Sequence, residues 1–313
     1  MKDFFLFMKE AADGLQRASR YGTAHVYRSS LNALKAFHGE TRLPFRRMTP
    51  EFVKCFESYL RGKGCSWNTV STYMRTLRAV YNRAVECGSA VYVPRLFRHV
   101  YTGTRADRKR ALDNGEMARL LDGETLQRGY SDELRQTKEL FVLMFLLRGM
   151  PFVDLAYLKK KDLAGNVLTY RRRKTGRRLA VTLTSEAVVL INRYRNTDRA
   201  SPYLFSLITA DEGSETAYRQ YQIALRRFNR RLSSLKILLG FTSLLSTYAA
   251  RHTWATMAYY SEVHPGIISE AMGHSSIAVT ETYLKPFRNK KIDEANAKVI
   301  SFAKMYMGNI TAC

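Results

Sequence analysis

The amino-acid sequence predicts a mainly α-helical protein with two domains and one small β-hairpin. Its 313 residues suit two domains of ordinary size. Apolar residues recur at helical spacing through most of the chain, whereas residues 166–184 contain two extended runs around the turn signal Thr175-Gly176. We therefore expect a helical domain over residues 1–100 and a mixed α/β, mostly helical domain over residues 111–313, which contains the hairpin.

The balance of charge indicates the kind of partner. Lysine and arginine total 51 against 27 aspartate and glutamate residues, which gives a formal net charge of +24. A cationic surface of this size favours a polyanion, because neutralised phosphates release their condensed counterions. Nucleic acid is therefore the expected partner. A ribosome-associated or merely basic protein is the alternative, although the sequence has no low-complexity basic tail of the ribosomal kind.

Cysteine usage and hydropathy predict the compartment. The four cysteines show neither the paired spacing of a metal site nor a disulfide framework, which is typical of a reducing cytosol. The apolar stretch at the N-terminus is too short for a signal peptide, and the most apolar run, residues 140–147, is far below membrane-spanning length. We expect a soluble, cytoplasmic protein with no membrane contact and no bound metal.

Helix-start signals divide the first domain. Thr23 can cap one helix, because apolar residues follow it at helical spacing. Thr49 followed by Pro50 predicts the start of a second helix, and a third helix is expected over residues 66–87. Three arginines lie off the apolar stripe of that third helix: Arg75, Arg78 and Arg83. We favour contact with DNA phosphates for them over a merely solvated face.

The helical period is lost between Pro94 and Arg110, and residues 101–110 are expected to form a basic linker. Such a linker can pass along DNA, or it can be a plain solvated connector, and the sequence leaves both interpretations open. Beyond it, helical patterns cover eight ranges: 114–121, 133–149, 185–196, 215–237, 247–260, 266–273, 276–284 and 291–307.

Four separated segments supply groups that phosphoryl chemistry needs. They are LMFLLRGMPFVDLAYL around Arg148, RRRKTGRR around Lys174, STYAARHTWAT around Arg251, and AMGHSSIAVTETYLKPF with His274 and Tyr283. In this order and at these distances they resemble the catalytic domain of the tyrosine recombinase (phage integrase) family. The last block is the most specific, because a Gly-His pair is followed by a Thr-x-x-Tyr that ends nine residues past the histidine. The helix NTVSTYMRTLRAVYNRAV also resembles the family's SAM-like core-binding domain, so the resemblance covers nearly the whole chain.

The resemblance implies that DNA is cut and rejoined through a covalent 3′-phosphotyrosine. Tyr283 matches the nucleophile, and Lys174 matches the general acid for the departing 5′-oxygen. Arg251 matches the second catalytic arginine, and His274 matches the histidine that donates to a non-bridging phosphate oxygen. Fixed guanidinium and imidazole donors suit the negative charge that builds on a five-coordinate phosphorus. The phosphotyrosyl bond conserves the energy of the broken phosphodiester, so the resemblance implies no cofactor and no metal.

Two positions depart from the family's pattern. Tyr248 stands where members usually have a histidine, and its hydroxyl can donate a hydrogen bond but cannot act as an acid or base near neutrality. When the family's pattern is aligned on Asp154, Pro151 occupies the position of the first catalytic arginine. Asp154 itself is expected to orient an active-site cation or to be a plain surface acid. We expect Arg148, one helical turn back on the same face, to take that role. Pro151 should end or bend the helix near Met150.

The predicted hairpin is rich in arginine. A hairpin arginine is the fallback for the first catalytic arginine, and three members are expected to bind DNA: Arg171, Arg172 and Arg173. A merely solvated basic hairpin is the alternative for this segment, including Lys174.

The resemblance also implies assembly and a biological role. The last helix of this family packs on a neighbouring protomer, so we expect a homotetramer at the synapse and a monomer when free. Packing of that helix within its own domain is the alternative. Double-stranded DNA of the bacterial nucleoid is the expected partner, with an accessory DNA-bending protein as a further candidate.

The Arg-Gly-Met and Tyr-x-x-Arg variants resemble the short invertase and integrase branch of the family found in anaerobic gut bacteria. We also expect no additional amino-terminal domain before the helix at Thr23, as in the simple recombinases. Inversion of a DNA segment is the first expectation, ahead of integration or excision. A catalytically silent DNA-binding regulator and a type IB topoisomerase-like enzyme are the alternatives.

Overall fold

The computed structural model describes residues 3–105, 111–122, 130–274, 276–281 and 289–307. Within these residues the predicted fold class is confirmed, because helices dominate and the strands form one small three-stranded sheet. The chain divides into two compact units. The first comprises Met1–Arg108 with Leu207–Ala224, and the second comprises Lys109–Ser206 with Leu225–Cys313.

Four helices build the first unit before residue 108: α1 (Phe4–Arg17), α2 (Tyr21–His38), α3 (Pro50–Gly62) and α4 (Trp67–Glu86). Sequence analysis does not predict α1, although Asp3 caps it by accepting a hydrogen bond from the Leu6 N–H at 2.9 Å. Helix α1 buries Phe4 and Met8, which completes a core with the inner faces of the other three helices. The apolar residues at the N-terminus are therefore part of the core of this unit.

One of the two predicted helix caps, Thr49, is confirmed, and Ser66 provides a cap that sequence analysis did not name. Thr49 and Ser66 accept hydrogen bonds from the backbone two or three residues inside α3 and α4, each at 3.2 Å. Thr23 is not a cap, because α2 already begins at Tyr21, directly after a turn in which Ser19 has a positive φ of 55°. The arginines predicted to face DNA lie on the exposed side of α4: Arg75, Arg78 and Arg83.

Residues 207–224, which sequence analysis assigns to the second domain, group with the first unit. The Gln16 side chain donates a hydrogen bond to Glu215 at 2.9 Å, and the ring of Tyr21 stacks on Tyr218 with centroids 5.7 Å apart.

The beginning of the predicted linker is hydrogen-bonded to the first unit. Glu57, which is buried, accepts a hydrogen bond from the Tyr101 N–H at 2.6 Å.

Nine helices follow residue 110: α5 (Asn114–Leu121), α6 (Asp132–Leu146), α7 (Phe152–Ala156), α8 (Ser185–Tyr194), α9 (Glu215–Leu238), α10 (Ala249–Tyr260), α11 (Pro265–Met272), α12 (Ile277–Glu281) and α13 (Asn289–Met307), counted within the described residues. Eight of them correspond to the predicted helical ranges, and α7 is additional. None of the described helices is both long enough and apolar enough to cross a membrane.

The predicted hairpin is confirmed. Strands β2 (Val167–Arg171) and β3 (Arg178–Thr182) pair antiparallel, and β1 (Leu163–Ala164) pairs with the other edge of β2. Gly176 in the connecting turn has a positive φ of 71°, which a glycine adopts without strain. Side chains two residues apart on β2 share a face, so Leu168 and Tyr170 point to the core while their neighbours are more exposed.

The end of α6 differs from the prediction. The helix stops at Leu146 rather than near Met150, because Arg148 and Gly149 both adopt the left-handed conformation, with φ of 59° and 69°. Pro151 then stands just before the start of the short helix α7. Arg148 therefore lies in a turn between two helices, and the expectation that it shares a helical face with position 151 is wrong.

Candidate active site

Arg251 lies in the first turn of α10 and is 3% exposed. Its guanidinium donates to two backbone carbonyls, to that of Gly149 at 3.0 Å and to that of Met272 at 2.7 Å. Gly149 is required at this contact, since a Cβ atom there would lie 2.8 Å from the Arg251 Cα. The turn after α6 and the end of α11 thus hold the guanidinium of Arg251 in one orientation.

His274 follows α11 after Gly273, which ends the helix with a positive φ of 65°. The imidazole is buried, and its Nδ1 lies 2.7 Å from the Oγ1 of Thr280, which is fully buried on α12. Burial lowers the pKa of His274 to about 3, and the nearby positive charges of Arg251, Arg172 and Lys174 act in the same direction. The imidazole is therefore neutral at physiological pH.

Arg172 is the one buried cation of the hairpin segment, with 5% exposure. Its Nε lies 2.7 Å from Oδ2 of Asp154, which is also buried, and its Nη1 donates to the Met272 carbonyl that Arg251 also uses. Burial raises the pKa of Asp154, while the adjacent arginines oppose that rise. The other oxygen of Asp154 accepts the Arg173 N–H at 2.9 Å. Asp154 thus fixes the start of the hairpin turn and lies against Arg172.

Lys174 is exposed at the tip of the hairpin. Residues on its C-terminal side fix that tip to the His274 segment. The Thr175 hydroxyl donates to the Gly273 carbonyl at 3.4 Å, and the Arg177 guanidinium donates to the His274 carbonyl at 2.9 Å. The lysine therefore extends from an anchored turn beside the imidazole.

Arg148 and Tyr248 stand at the edge of this group. The Arg148 guanidinium donates to the Ala180 carbonyl on β3 at 3.3 Å, and the side chain is half-buried. Tyr248 immediately precedes α10 and is 38% exposed, with its ring 5.2 Å from that of His252. Both side chains are more exposed than those of Arg251 and Arg172.

The structure brings together five of the residues singled out in the sequence: Arg251, His274, Lys174, Asp154 and Arg172. Tyr283 lies outside the described residues, and Glu281 at the end of α12 is the last described residue before it. Sequence reasoning did not single out Thr280, although it is the threonine of the Thr-x-x-Tyr motif. It also missed Tyr170, a buried residue of β2 whose pKa is raised by burial and by the Asp154 charge.

The chemistry of this group is suited to phosphoryl transfer. Two buried guanidinium groups and a neutral imidazole form a preorganised set of hydrogen-bond donors, and such a set stabilises negative charge as it develops. No group of three or more histidine, cysteine or acidic residues that could hold a metal occurs in the described part of the chain.

Comparison with known proteins identifies the family. The profile of the phage integrase family matches residues 111–290, and the profile of the phage integrase SAM-like domain matches residues 3–94. The chain belongs to the phage integrase family and is a tyrosine-type site-specific recombinase. A curated tyrosine recombinase of Thermosipho africanus (strain TCF52B) is 21% identical over 284 residues, which cover 86% of this chain and 94% of the relative.

Solved structures share the fold. The Tn1549 transposon integrase in complex with transposon right end DNA matches 96% of this chain and 100% of its own, with a TM-score of 0.68 and 16% identity. A lambda integrase dimer bound to a core site has a TM-score of 0.60 and 14% identity over 86% of this chain and 93% of its own. A lambda integrase tetramer bound to a Holliday junction has a TM-score of 0.62 and 14% identity over 91% of this chain and 78% of its own.

Proposed function

We propose that this recombinase cuts and rejoins DNA through a covalent 3′-phosphotyrosine on Tyr283. The observation that carries the proposal is the buried group of Arg251, Arg172 and His274, which brings three hydrogen-bond donors together in fixed orientations. The Thr-x-x-Tyr motif supports the nucleophile, because Thr280 contacts His274 and Tyr283 follows only three residues later. The phenolic oxygen of Tyr283 forms a bond to phosphorus while the bond from phosphorus to the 5′-oxygen breaks. In religation a 5′-hydroxyl attacks the same phosphorus, which restores the phosphodiester and releases the tyrosine.

Arg251 and Arg172 are the proposed donors to the non-bridging oxygens of the scissile phosphate. Both are planar, permanently charged and able to donate two hydrogen bonds at once. Arg172 takes the role of the first arginine in this proposal, because it is buried and held by Asp154, whereas Arg148 lies in a turn and donates to a strand carbonyl. Arg148 is the alternative for that role.

His274 is the proposed neutral donor to the same phosphate. Thr280 can donate its hydroxyl proton to Nδ1 of His274. Because Nδ1 then acts as an acceptor, the neutral imidazole has its proton on Nε2. A neutral imidazole suits a site that already contains several positive charges. Tyr248, at the start of α10, is a further candidate donor through its hydroxyl.

Lys174 is the proposed general acid. The departing 5′-oxygen needs a proton, and an ammonium group on a flexible stem at an anchored turn can deliver it. The exposure of Lys174 allows it to reach a bound duplex, whereas a buried lysine would be confined to the protein interior.

DNA contact and assembly are also part of the proposal. The exposed arginines of α4 and the basic hairpin support DNA binding, since they add to a net charge of +24. The relatives bound to DNA as a dimer and a tetramer support assembly of four protomers at the synapse. Inversion of a DNA segment is the outcome that we place first, ahead of integration or excision, because the sequence resembles the short invertase branch.

The proposal is tested with a DNA substrate nicked near the cleavage site, which traps the covalent intermediate. Wild-type protein should remain attached to this DNA in a denaturing gel. Tyr283→Phe should abolish the attachment and leave DNA binding nearly intact, because only the nucleophilic oxygen is removed. Tyr260→Phe, which removes a hydroxyl from a partly exposed tyrosine of α10, is the matched control. Undiminished trapping by Tyr283→Phe would exclude Tyr283 as the nucleophile.

A further inference from the structure

Helix α10 is held on two sides by different parts of the second unit. On one side the Arg251 guanidinium donates to the carbonyls of Gly149 and Met272. Thr253 lies two residues further along, which in a helix of 3.6 residues per turn places it on nearly the opposite side. There its Oγ1 accepts a hydrogen bond from the Leu112 N–H at 2.9 Å. Rotation of α10 about its axis would break the contacts on both sides.

The Thr253 contact is fully enclosed. Thr253 is 0% exposed and Leu112 is 4% exposed, so water cannot replace either partner. A buried N–H that loses its acceptor carries the full cost of its desolvation, and the helix would have to move to satisfy it in another way. This single hydrogen bond therefore has a strong influence on the position of α10.

Glu116 holds the segment that leads into α10. Its Oε1 accepts hydrogen bonds from the Thr242 N–H at 2.9 Å and from the Ser243 N–H at 3.0 Å. Its Oε2 accepts the Asp113 N–H at 3.2 Å, which closes a capping box at the start of α5. The carboxylate is buried, and the hydrogen bonds that it accepts lower its pKa in spite of that burial.

The start of α5 thus contacts the Arg251 segment at both ends. Residues 112–116 bind residues 242–243 before α10 and Thr253 within it, and Tyr248 and Arg251 lie between these two points. Residues 112–116 also follow directly after the predicted linker of residues 101–110. A structural element that enters the catalytic unit from the linker is therefore bonded to the helix that presents an active-site arginine.

We propose that Thr253 and Glu116 are positioning residues, which hold α10 so that Arg251 meets the scissile phosphate in the orientation that cleavage requires. The inference rests on the proposed role of Arg251. It assigns no contact with DNA to Thr253 or Glu116, because both are buried away from any surface.

The test measures DNA cleavage in a single turnover and DNA affinity separately. Thr253→Val keeps the shape of the side chain and removes the acceptor. It should reduce the cleavage rate by about 10- to 100-fold, the range for misplacing a reacting group by a fraction of an ångström to one ångström. The affinity for DNA should remain within about threefold, since the loss falls on the transition state. Thr253→Ser should restore most of the rate, because it restores the hydroxyl.

Thr137→Val is the matched control. Thr137 is 1% exposed in the same unit, and its hydroxyl donates only to the Glu133 carbonyl of its own helix, at 2.8 Å. Thermal unfolding of both valine variants gives their loss of stability. Equal cleavage rates for Thr253→Val and Thr137→Val at similar loss of stability would overturn the proposal.

Two further variants keep the outcome decisive. Glu116→Gln weakens the hydrogen bonds to residues 242–243 and should also lower the cleavage rate. It therefore tests the proposal if Thr253→Val does not fold. A wild-type rate for Glu116→Gln would count against the proposal. Arg251→Ala separates this inference from the function on which it rests. Wild-type cleavage by Arg251→Ala would reject the catalytic role of Arg251. If Arg251→Ala loses cleavage while Thr253→Val and Glu116→Gln keep the wild-type rate, only the positioning role of Thr253 and Glu116 is rejected.

Discussion

Two sets of cations in this protein are held in opposite ways. Arg172 and Arg251 are 5% and 3% exposed, and their guanidinium groups are fixed by backbone carbonyls and by Asp154. The arginines on the outer face of α4, Arg75, Arg78 and Arg83, are exposed. The first set cannot change its direction without breaking buried hydrogen bonds, whereas the second set can follow a ligand.

The difference teaches what each set can contribute. A donor that is already fixed needs no reorganisation when charge develops on phosphorus, so it lowers the barrier of the reaction. An exposed cation gains affinity mainly by displacing counterions from DNA, and it gains this equally in the ground state and the transition state. We therefore expect substitutions in the buried set to change the cleavage rate and substitutions in the exposed set to change DNA affinity.

In the comparison of buried and exposed cations, the largest effect is expected at Arg172. Arg172→Ala should reduce single-turnover cleavage by about 100- to 1,000-fold, the range for loss of one preorganised donor. Arg172→Lys should recover only part of the rate, because an ammonium group cannot reproduce the planar fork. Arg148→Ala should cost far less, since Arg148 is half-buried and donates to the Ala180 carbonyl. Cleavage is measured at saturating DNA.

Arg173→Ala is the control for Arg172, because it removes an exposed arginine from the adjacent position. Thermal unfolding must accompany the assay, since Arg172→Ala leaves the buried Asp154 without its ion-pair partner. If Arg148→Ala abolishes cleavage while Arg172→Ala leaves it intact, the role of the first arginine belongs to Arg148 and the proposed assignment is wrong.

A smaller effect is expected from the exposed set. Replacing Arg75, Arg78 and Arg83 together by glutamine should weaken the salt dependence of DNA binding. The magnitude of the negative slope of log Kobs against log salt should fall by up to about 2.7, or about 0.9 for each DNA phosphate that the variant no longer neutralises. Cleavage at saturating DNA should stay near the wild-type rate. The control replaces exposed cations on other helices of the same unit, Lys9 and Lys35. An unchanged salt slope would remove the outer face of α4 from the DNA interface.

Sequence reasoning predicted much of this fold for a simple physical reason. Eight of the nine helices described after residue 110, the hairpin and the cap at Thr49 follow from local patterns, namely apolar periodicity and the hydrogen bonds of capping residues. Helix α7 has only five residues, which is too short to show a helical period. The early end of α6 depends on Arg148 adopting a left-handed conformation, which residues other than glycine seldom do.

The candidate site was harder to predict, because its geometry depends on contacts between distant segments. The order of motifs identified Arg251, His274 and Lys174, but it could not choose among the arginines of the hairpin. A signal for that choice was present. Residues two apart on a strand share a face, and Arg172 continues the buried face of Leu168 and Tyr170, whereas Arg171 and Arg173 belong to the other face. The partnership of Arg172 with Asp154 became apparent only in the folded chain.

The smallest expected change concerns His274, whose imidazole should stay neutral as the pH falls from 8 to 5. An ordinary histidine gains a proton near pH 6.5. The pKa of His274 is lowered to about 3, because the ring is buried and Arg251, Arg172 and Lys174 oppose a further positive charge. The unfolded chain therefore binds a proton at this position below about pH 6.5, whereas the folded chain does so only near pH 3. In that window His274 reduces the stability of the fold as the pH falls, and His274→Gln should lose less stability over the same window.

Proton NMR of the free protein checks the prediction directly: the His274 ring signal, assigned by its absence from His274→Gln, should not shift between pH 8 and 5. A titration with a midpoint between pH 6 and 7 would show that the ring becomes charged, and it would reject the neutral donor in favour of an imidazolium.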